Sequence, residues 1–147
     1  MKIKVKKLNP NAVIPYKSHD NDFCYDCVAT SCEEIAPNVY KYSLGLAFEI
    51  VREDDVDDFV LDIDARPRSS VWKTGMVLSN CVGTIDEPYR GEVAAIFYHV
   101  MPDMPKYEVG DRIVQISIGI TSQIEFEEVD ELSQTERGAG GFGSTGK

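Results

Sequence analysis

The chain has 147 residues, 43% hydrophobic and 27% charged, proportions of an ordinary globular domain long enough to bury a real core. Its formal net charge of −10 argues against a nucleic-acid coat or a membrane-surface protein, both of which need basic patches. A small anionic ligand held by local arginines and amides stays open. No apolar run approaches a membrane span, and Met1-Lys-Ile-Lys-Val-Lys-Lys7 has no apolar stretch of a signal peptide, so a cytoplasmic, reducing setting is expected.

Helical periodicity is nearly absent. Lys2 to Leu8 alternates until Asn9-Pro10-Asn11 breaks the pattern, and Asp22 to Thr30 reads as a strand. Cys24 and Cys27 have metal-like spacing with His19 nearby. However, positions i and i+3 of a strand face opposite ways and no second pair follows. Free, partly buried thiols are therefore expected at Cys24, Cys27, Cys32 and Cys81. From Tyr40 to Ile50 every second residue is apolar (Tyr40, Tyr42, Leu44, Leu46, Phe48, Ile50), while Lys41, Ser43 and Glu49 take the other face. That is a half-buried strand pair or one long strand. The acidic run 52–58 reads as a solvated loop, since adjacent acids without glycine punctuation do not make a calcium loop.

Phe59, Leu61, Ile63 and Ala65 restore the two-residue period, and Ser69 to Thr74 predicts a short helical turn capped by Ser69 or Ser70 and closed by Gly75. Further strands are predicted at 92–100, 111–120 and 123–129, with the two prolines of Met101–Tyr107 in a loop. Many short strands with regular turn signals mean an all-β sandwich or jelly roll. From Ser133 on, apolar periodicity ends, so residues 133–147 are expected to be a flexible arm on a body of residues 1–132.

Three stretches have chemistry in them. Asn80 to Glu92 sets one acid, Asp86, and one ring, Tyr89, three residues apart in a turn stiffened by Pro88 and bracketed by Gly83 and Gly91, a place to grip a flat polar ligand. At Ala65-Arg-Pro-Arg-Ser-Ser70 the start of a helical turn offers N–H groups, and Arg68 adds a fork of donors. The glycine-rich tail from Arg137 can wrap an anion, although it lacks the strand, helix and spacing of a phosphate loop. A mobile lid fits it better, with Phe142 on a flat base while Arg137, Ser144 and Thr145 reach phosphate oxygens.

Taken in order, five segments closely resemble the five motifs of the trimeric dUTP pyrophosphatases (dUTPases). They are Tyr25-Asp26, Pro67-Arg-Ser-Ser70, Asn80 with Gly83-Thr-Ile-Asp86 and Tyr89-Arg-Gly-Glu92, Gly110-Asp-Arg-Ile-Val-Gln115, and the tail from Arg137 to Gly146. The chain departs from the family pattern at Cys24, where the first motif usually has Gly, and at Cys81-Val82, which replaces a small residue and Pro.

The resemblance implies a jelly-roll-like, distorted β-barrel with a flexible Gly-rich arm. It implies a homotrimer whose three sites are shared between subunits, and Mg2+-dependent hydrolysis of dUTP to dUMP and pyrophosphate. That reaction would keep uracil out of DNA and supply dUMP for thymidylate synthesis. Asp86 would hold and activate the water that attacks the α-phosphorus. Tyr89 would lie against the deoxyribose and reject a 2′-hydroxyl, and Asn80 with the hairpin main chain at Gly83 and Ile85 would read the uracil edge. Arg68, Ser69, Ser70 and Gln115 would hold phosphate oxygens, and Asp26 would meet Mg2+ through water. Arg137, Phe142, Gly143, Ser144 and Thr145 would close the lid. The dCTP deaminases share this fold, but the Tyr89 hairpin and the complete glycine-rich tail favour dUTP hydrolysis.

Overall fold

Alternation of apolar and polar residues builds nearly the whole molecule, because each strand buries one face and solvates the other. The computed structural model describes residues 1–52 and 59–141, and these form ten strands and one short 3-10 turn. In chain order the strands are β1 (Lys2–Lys7), β2 (Tyr25–Val28), β3 (Ser31–Ala36), β4 (Val39–Ser43), β5 (Leu46–Val51), β6 (Phe59–Pro67), β7 (Met76–Leu78), β8 (Gly83–Asp86), β9 (Ala94–His99) and β10 (Arg112–Ser122). They make three open sheets, ordered β1-β5, β2-β10-β6-β8 and β3-β4-β9-β7, with every pairing antiparallel. This is a jelly-roll-like arrangement of open sheets rather than a closed barrel.

The core lies between the sheets. Tyr42, Leu44, Leu46, Phe97 and Ile113 are fully buried. Tyr42, Phe97 and Tyr107 pack edge to face with ring centroids 5.4 to 6.3 Å apart, the favoured geometry for aromatic quadrupoles. The Tyr42 hydroxyl donates to the carbonyl of Tyr107 at 2.9 Å, so the phenol is buried without an orphaned donor.

Several expectations are corrected. The Tyr40–Ile50 alternation is neither one strand nor a pair: β4 joins β3 and β9, while β5 pairs with β1. The break falls at Gly45, whose φ of +66° is left-handed backbone that side chains rarely adopt. A strand at Ser31–Ala36 went unpredicted because all six residues are exposed and show no alternation. The strand expected over 123–129 is absent; the segment pairs with no strand among the described residues, and Ile124 and Phe126 stand out in solvent. The turn at Ser69–Lys73 exists as a five-residue 3-10 turn, but its N-cap is Arg68, and neither serine side chain caps it. Gly75 is not a left-handed cap. A Cβ there would meet the carbonyl of Met101 at 2.3 Å, so close backbone approach explains the glycine.

The four cysteines are free thiols: Cys27 is buried, Cys24 half-buried, and Cys32 and Cys81 exposed. Burial, reinforced by the charge of Asp26, pushes the Cys27 thiol up to about 12, which keeps it unreactive. Residues 53–58 of the acidic run lie outside the described residues. Among the described residues, no helix is long and apolar enough to cross a membrane.

Candidate active site

The hairpin expected over Asn80–Glu92 is not one: β8 pairs with β6 alone, and the chain beyond the turn crosses to β9 in the other four-stranded sheet. Strand β8 pairs with β6 in the register Ala65↔Gly83 to Asp62↔Asp86, which puts Asp86 at the strand end with its side chain exposed. The N–H of Tyr89 donates to the carbonyl of Asp86 at 2.9 Å and closes the turn, with Glu87 and Pro88 at its tip. Arg52 clamps that tip with a fork of two bonds to Glu87, at 2.9 and 2.6 Å. The Arg52 guanidinium holds the Glu87 carboxyl below its usual range. The Tyr89 hydroxyl donates to the carbonyl of Glu92 at 3.1 Å. Thus the acid and the ring, three residues apart, are fixed by separate contacts.

Beside this turn opens a cleft of about 310 Å³, lined by Asn80, Gly83, Ile85, Asp86 and Tyr89 among others. That volume is at the lower end of small-molecule sites. Sequence reasoning missed Lys41 and Glu92, which also line it. Lys41 was readable only as an outward residue of the Tyr40–Ile50 alternation, and nothing local shows that β4 lies beside the cleft.

Facing Asp86 across the strand pair is Asp62, with Asp64 two residues on. Burial, then the charge and hydrogen bond of Asp64, push the Asp62 carboxyl upward, with Asp86 adding to the effect.

A second cluster gathers on the other strands of the same sheet. Asp26 on β2 lies opposite Gln115 on β10, and Gln115 lies opposite Arg66 on β6. Arg68 donates to Asp26 from Nε at 2.7 Å and Nη2 at 3.3 Å, and reaches the hydroxyl of Ser70 at 3.2 Å. Arg112, to which the sequence reading gave no role, adds a bond to Asp26 at 2.9 Å and another to Ser18 at 3.1 Å. The Gln115 amide donates to the carbonyl of Pro67 at 3.0 Å, just before Arg68. Ser69 opens the 3-10 turn beside it. Two guanidiniums thus converge on one carboxylate, each also donating to a serine hydroxyl, an arrangement of donors suited to an oxyanion once Arg68 turns outward.

Within one chain the two clusters do not line one cleft. None of Asp26, Arg68, Ser69, Ser70 and Gln115 lines the cleft of Asp86 and Tyr89. Arg137 joins neither; its Nε bonds the carbonyl of Gly140 at 3.0 Å in an exposed turn. Phe142, Gly143, Ser144 and Thr145 lie outside the described residues. Among the described residues, no three His, Cys, Asp or Glu side chains converge as a metal cage.

Open jelly-roll-like sheets, with β8 and its turn walling a polar cleft and arginines gathered on the same sheet, define an all-β protein fitted for a small anionic ligand. The dUTPase family model matches residues 55–146. The chain is 40% identical over 149 residues to the deoxyuridine 5′-triphosphate nucleotidohydrolase of Nautilia profundicola, covering 100% of both chains. To the Helicobacter pylori (strain 26695) enzyme of the same name it is 37% identical, covering 99% of this chain and 97% of that one. The chain belongs to the dUTPase family. Among solved structures it resembles the dUTPase of Staphylococcus bacteriophage 80alpha with dUPNHPP, at a TM-score of 0.78, 25% identity and 99% coverage of both chains. It shares the fold of the dUTPase from phage phi11 of S. aureus, at a TM-score of 0.68 and 20% identity, covering 92% of this chain and 100% of that one.

Proposed function

We propose that the protein hydrolyses dUTP to dUMP and pyrophosphate, with the base and sugar in the cleft beside the Asp86–Tyr89 turn and the phosphates on the arginine–serine cluster. The observation that carries this reading is Asp86, an exposed carboxylate on the rim of a cleft walled by Asn80, Gly83, Ile85 and Tyr89, in a chain of the dUTPase family. Asp86 holds a water and takes its proton as the water oxygen bonds the α-phosphorus. The bond from that phosphorus to the bridging oxygen breaks, and its electron pair leaves with pyrophosphate. Asn80 and the main chain at Gly83 and Ile85 read the uracil edge, where a wrong base leaves buried polar groups unpaired. Tyr89 lies against the deoxyribose.

Arg68, Ser69, Ser70 and Gln115 hold phosphate oxygens. For Arg68 this means exchanging part of its bond to Asp26 for a stronger anion. A magnesium ion suits this donor set when carried on the phosphates. The Asp26 oxygens already accept three N–H bonds, which leaves room for a water-mediated contact but not for a protein cage. Bound there, Mg2+ supplies charge neutralisation of the triphosphate. In this reading residues 1–132 form the catalytic body, and 133–147 the arm whose Arg137, Phe142, Gly143, Ser144 and Thr145 close over the nucleotide. The cytoplasm is the setting where such a substrate occurs.

Separation of the Asp86 cleft from the Asp26–Arg68–Gln115 cluster supports sites shared between copies, and a homotrimer supplies them. Exposed Ile120, Ile124, Phe126 and Leu132, the last two 90% and 85% accessible, likewise suit burial against a neighbour. Hydrolysis of dUTP in 18O-labelled water with Mg2+ tests the chemistry. Label is expected in dUMP alone; label in pyrophosphate would place the attack at the β-phosphorus and remove Asp86 from its role.

A further inference from the structure

Tyr89 is seated on Gly91. A Cβ placed at Gly91 would come within 2.4 Å of the Tyr89 hydroxyl, 2.5 Å of Cζ and 2.9 Å of Cε2. Ordinary van der Waals contact begins at 3.4 Å, so the ring occupies the space that any side chain at 91 would fill. Tyr89 is tied at both ends, its main-chain N–H donating to the carbonyl of Asp86 at 2.9 Å and its ring hydroxyl to the carbonyl of Glu92 at 3.1 Å. No other aromatic ring and no cation packs on it among the described residues, and Tyr89 is 47% exposed. Its pose therefore depends on the turn, on Glu92 and on the bare Cα of residue 91.

The conflict at Gly91 is of a particular kind. Its φ is not left-handed, so the backbone accepts alanine, and the atoms in the way belong to the free end of a side chain rather than to main chain. A methyl group would leave the turn folded and move the ring.

We propose that Gly91 is a specificity-determining positioning residue. Its missing side chain seats the Tyr89 ring as a wall of the cleft, and that seat sets the discrimination between deoxyribose and ribose. This rests on the dUTP reading, in which Tyr89 lies against the sugar. Gly91 itself touches no substrate. A displaced ring changes the width of the sugar pocket, while Asp86, held by β8 at the other end of the turn, keeps its place.

The test is equilibrium binding of dUMP and UMP, with melting temperatures, for the full-length wild type, Gly91→Ala and Tyr89→Phe. Wild type is expected to prefer dUMP. Gly91→Ala should lose about tenfold or more of that preference while melting within a few degrees of wild type. With dUTP its KM should rise more than its kcat falls. Tyr89→Phe, which keeps the ring on Gly91 but loses the bond to Glu92, should lose a smaller part. A wild-type preference that survives Gly91→Ala overturns the inference alone. If Gly91→Ala fails to fold, Tyr89→Ala decides in its place: a preference equal to wild type would show that the seated ring does not set the discrimination and overturns the inference. A wild type that binds both nucleotides equally removes the dUTP reading, and this inference with it.

Discussion

Arg68 spans both oxygens of Asp26, Nε to Oδ1 at 2.7 Å and Nη2 to Oδ2 at 3.3 Å, across 42 residues of sequence. Asp26 is 9% exposed, and Arg112 adds a third donor at 2.9 Å. Burying a carboxylate is tolerable only with such partners, and removing it leaves two guanidiniums facing each other. Asp26→Ala should therefore cost about 2 kcal/mol in urea denaturation, less than a fully buried pair because Arg112 is partly solvated. A loss under about 0.5 kcal/mol would show that the triad is only a surface contact.

Asp86 ends β8 with its carboxylate exposed, and the turn after it is closed by main-chain bonds its side chain does not make. Asp86→Asn should keep the fold and nucleotide affinity within a few-fold, and lower turnover by at least about 100-fold. Single-turnover kinetics beside a dUMP titration separate the two effects. Unchanged turnover would end the base assignment.

Asp62 gives a pH prediction with a definite sign. Its folded-state pKa is raised above the ordinary 3.8, by burial first and Asp64 second. A raised carboxyl contributes stability in full below the unfolded pKa and loses it as pH rises through the folded value. Asp62→Asn removes the charge that carries the penalty. The variant should match wild type near pH 3 and melt higher than wild type near pH 7. A melting difference that shrinks as pH rises would contradict this.

Removal of residues 137–147 takes away a segment whose described part is exposed or half-exposed and makes only local bonds. The truncated protein should melt within a few degrees of wild type and retain its oligomeric state by light scattering. Its turnover should fall at least tenfold, as expected for loss of a closing arm. A large drop in melting temperature would mean that the arm is part of the body.

The legible part of this fold was its periodicity. Alternation in Tyr40–Ile50 and Phe59–Ala65 marked the strands, since one buried face forces a two-residue period. Pairing was not legible, because the Gly45 break sends β4 and β5 to different sheets through contacts far apart in sequence. Ser31–Ala36 left no signal, being exposed on every residue, and 123–129 gave a false one, since alternation without a partner strand does not make a sheet. At the site, the Asp86–Tyr89 turn could be read from Pro and Gly alone. The binding of Asp26 to both Arg68 and Arg112 could not, as it joins residues 42 and 86 positions apart. The seat of Tyr89 on Gly91 needed atomic distances.

Pyrophosphate release from dUTP, dCTP, dTTP and UTP with Mg2+, followed alongside ammonia, tests the central claim most directly. Release is expected from dUTP alone, with no ammonia from dCTP. Comparable release from dTTP or UTP, or ammonia from dCTP, would contradict a cleft that reads uracil at Asn80 and β8 and deoxyribose at Tyr89.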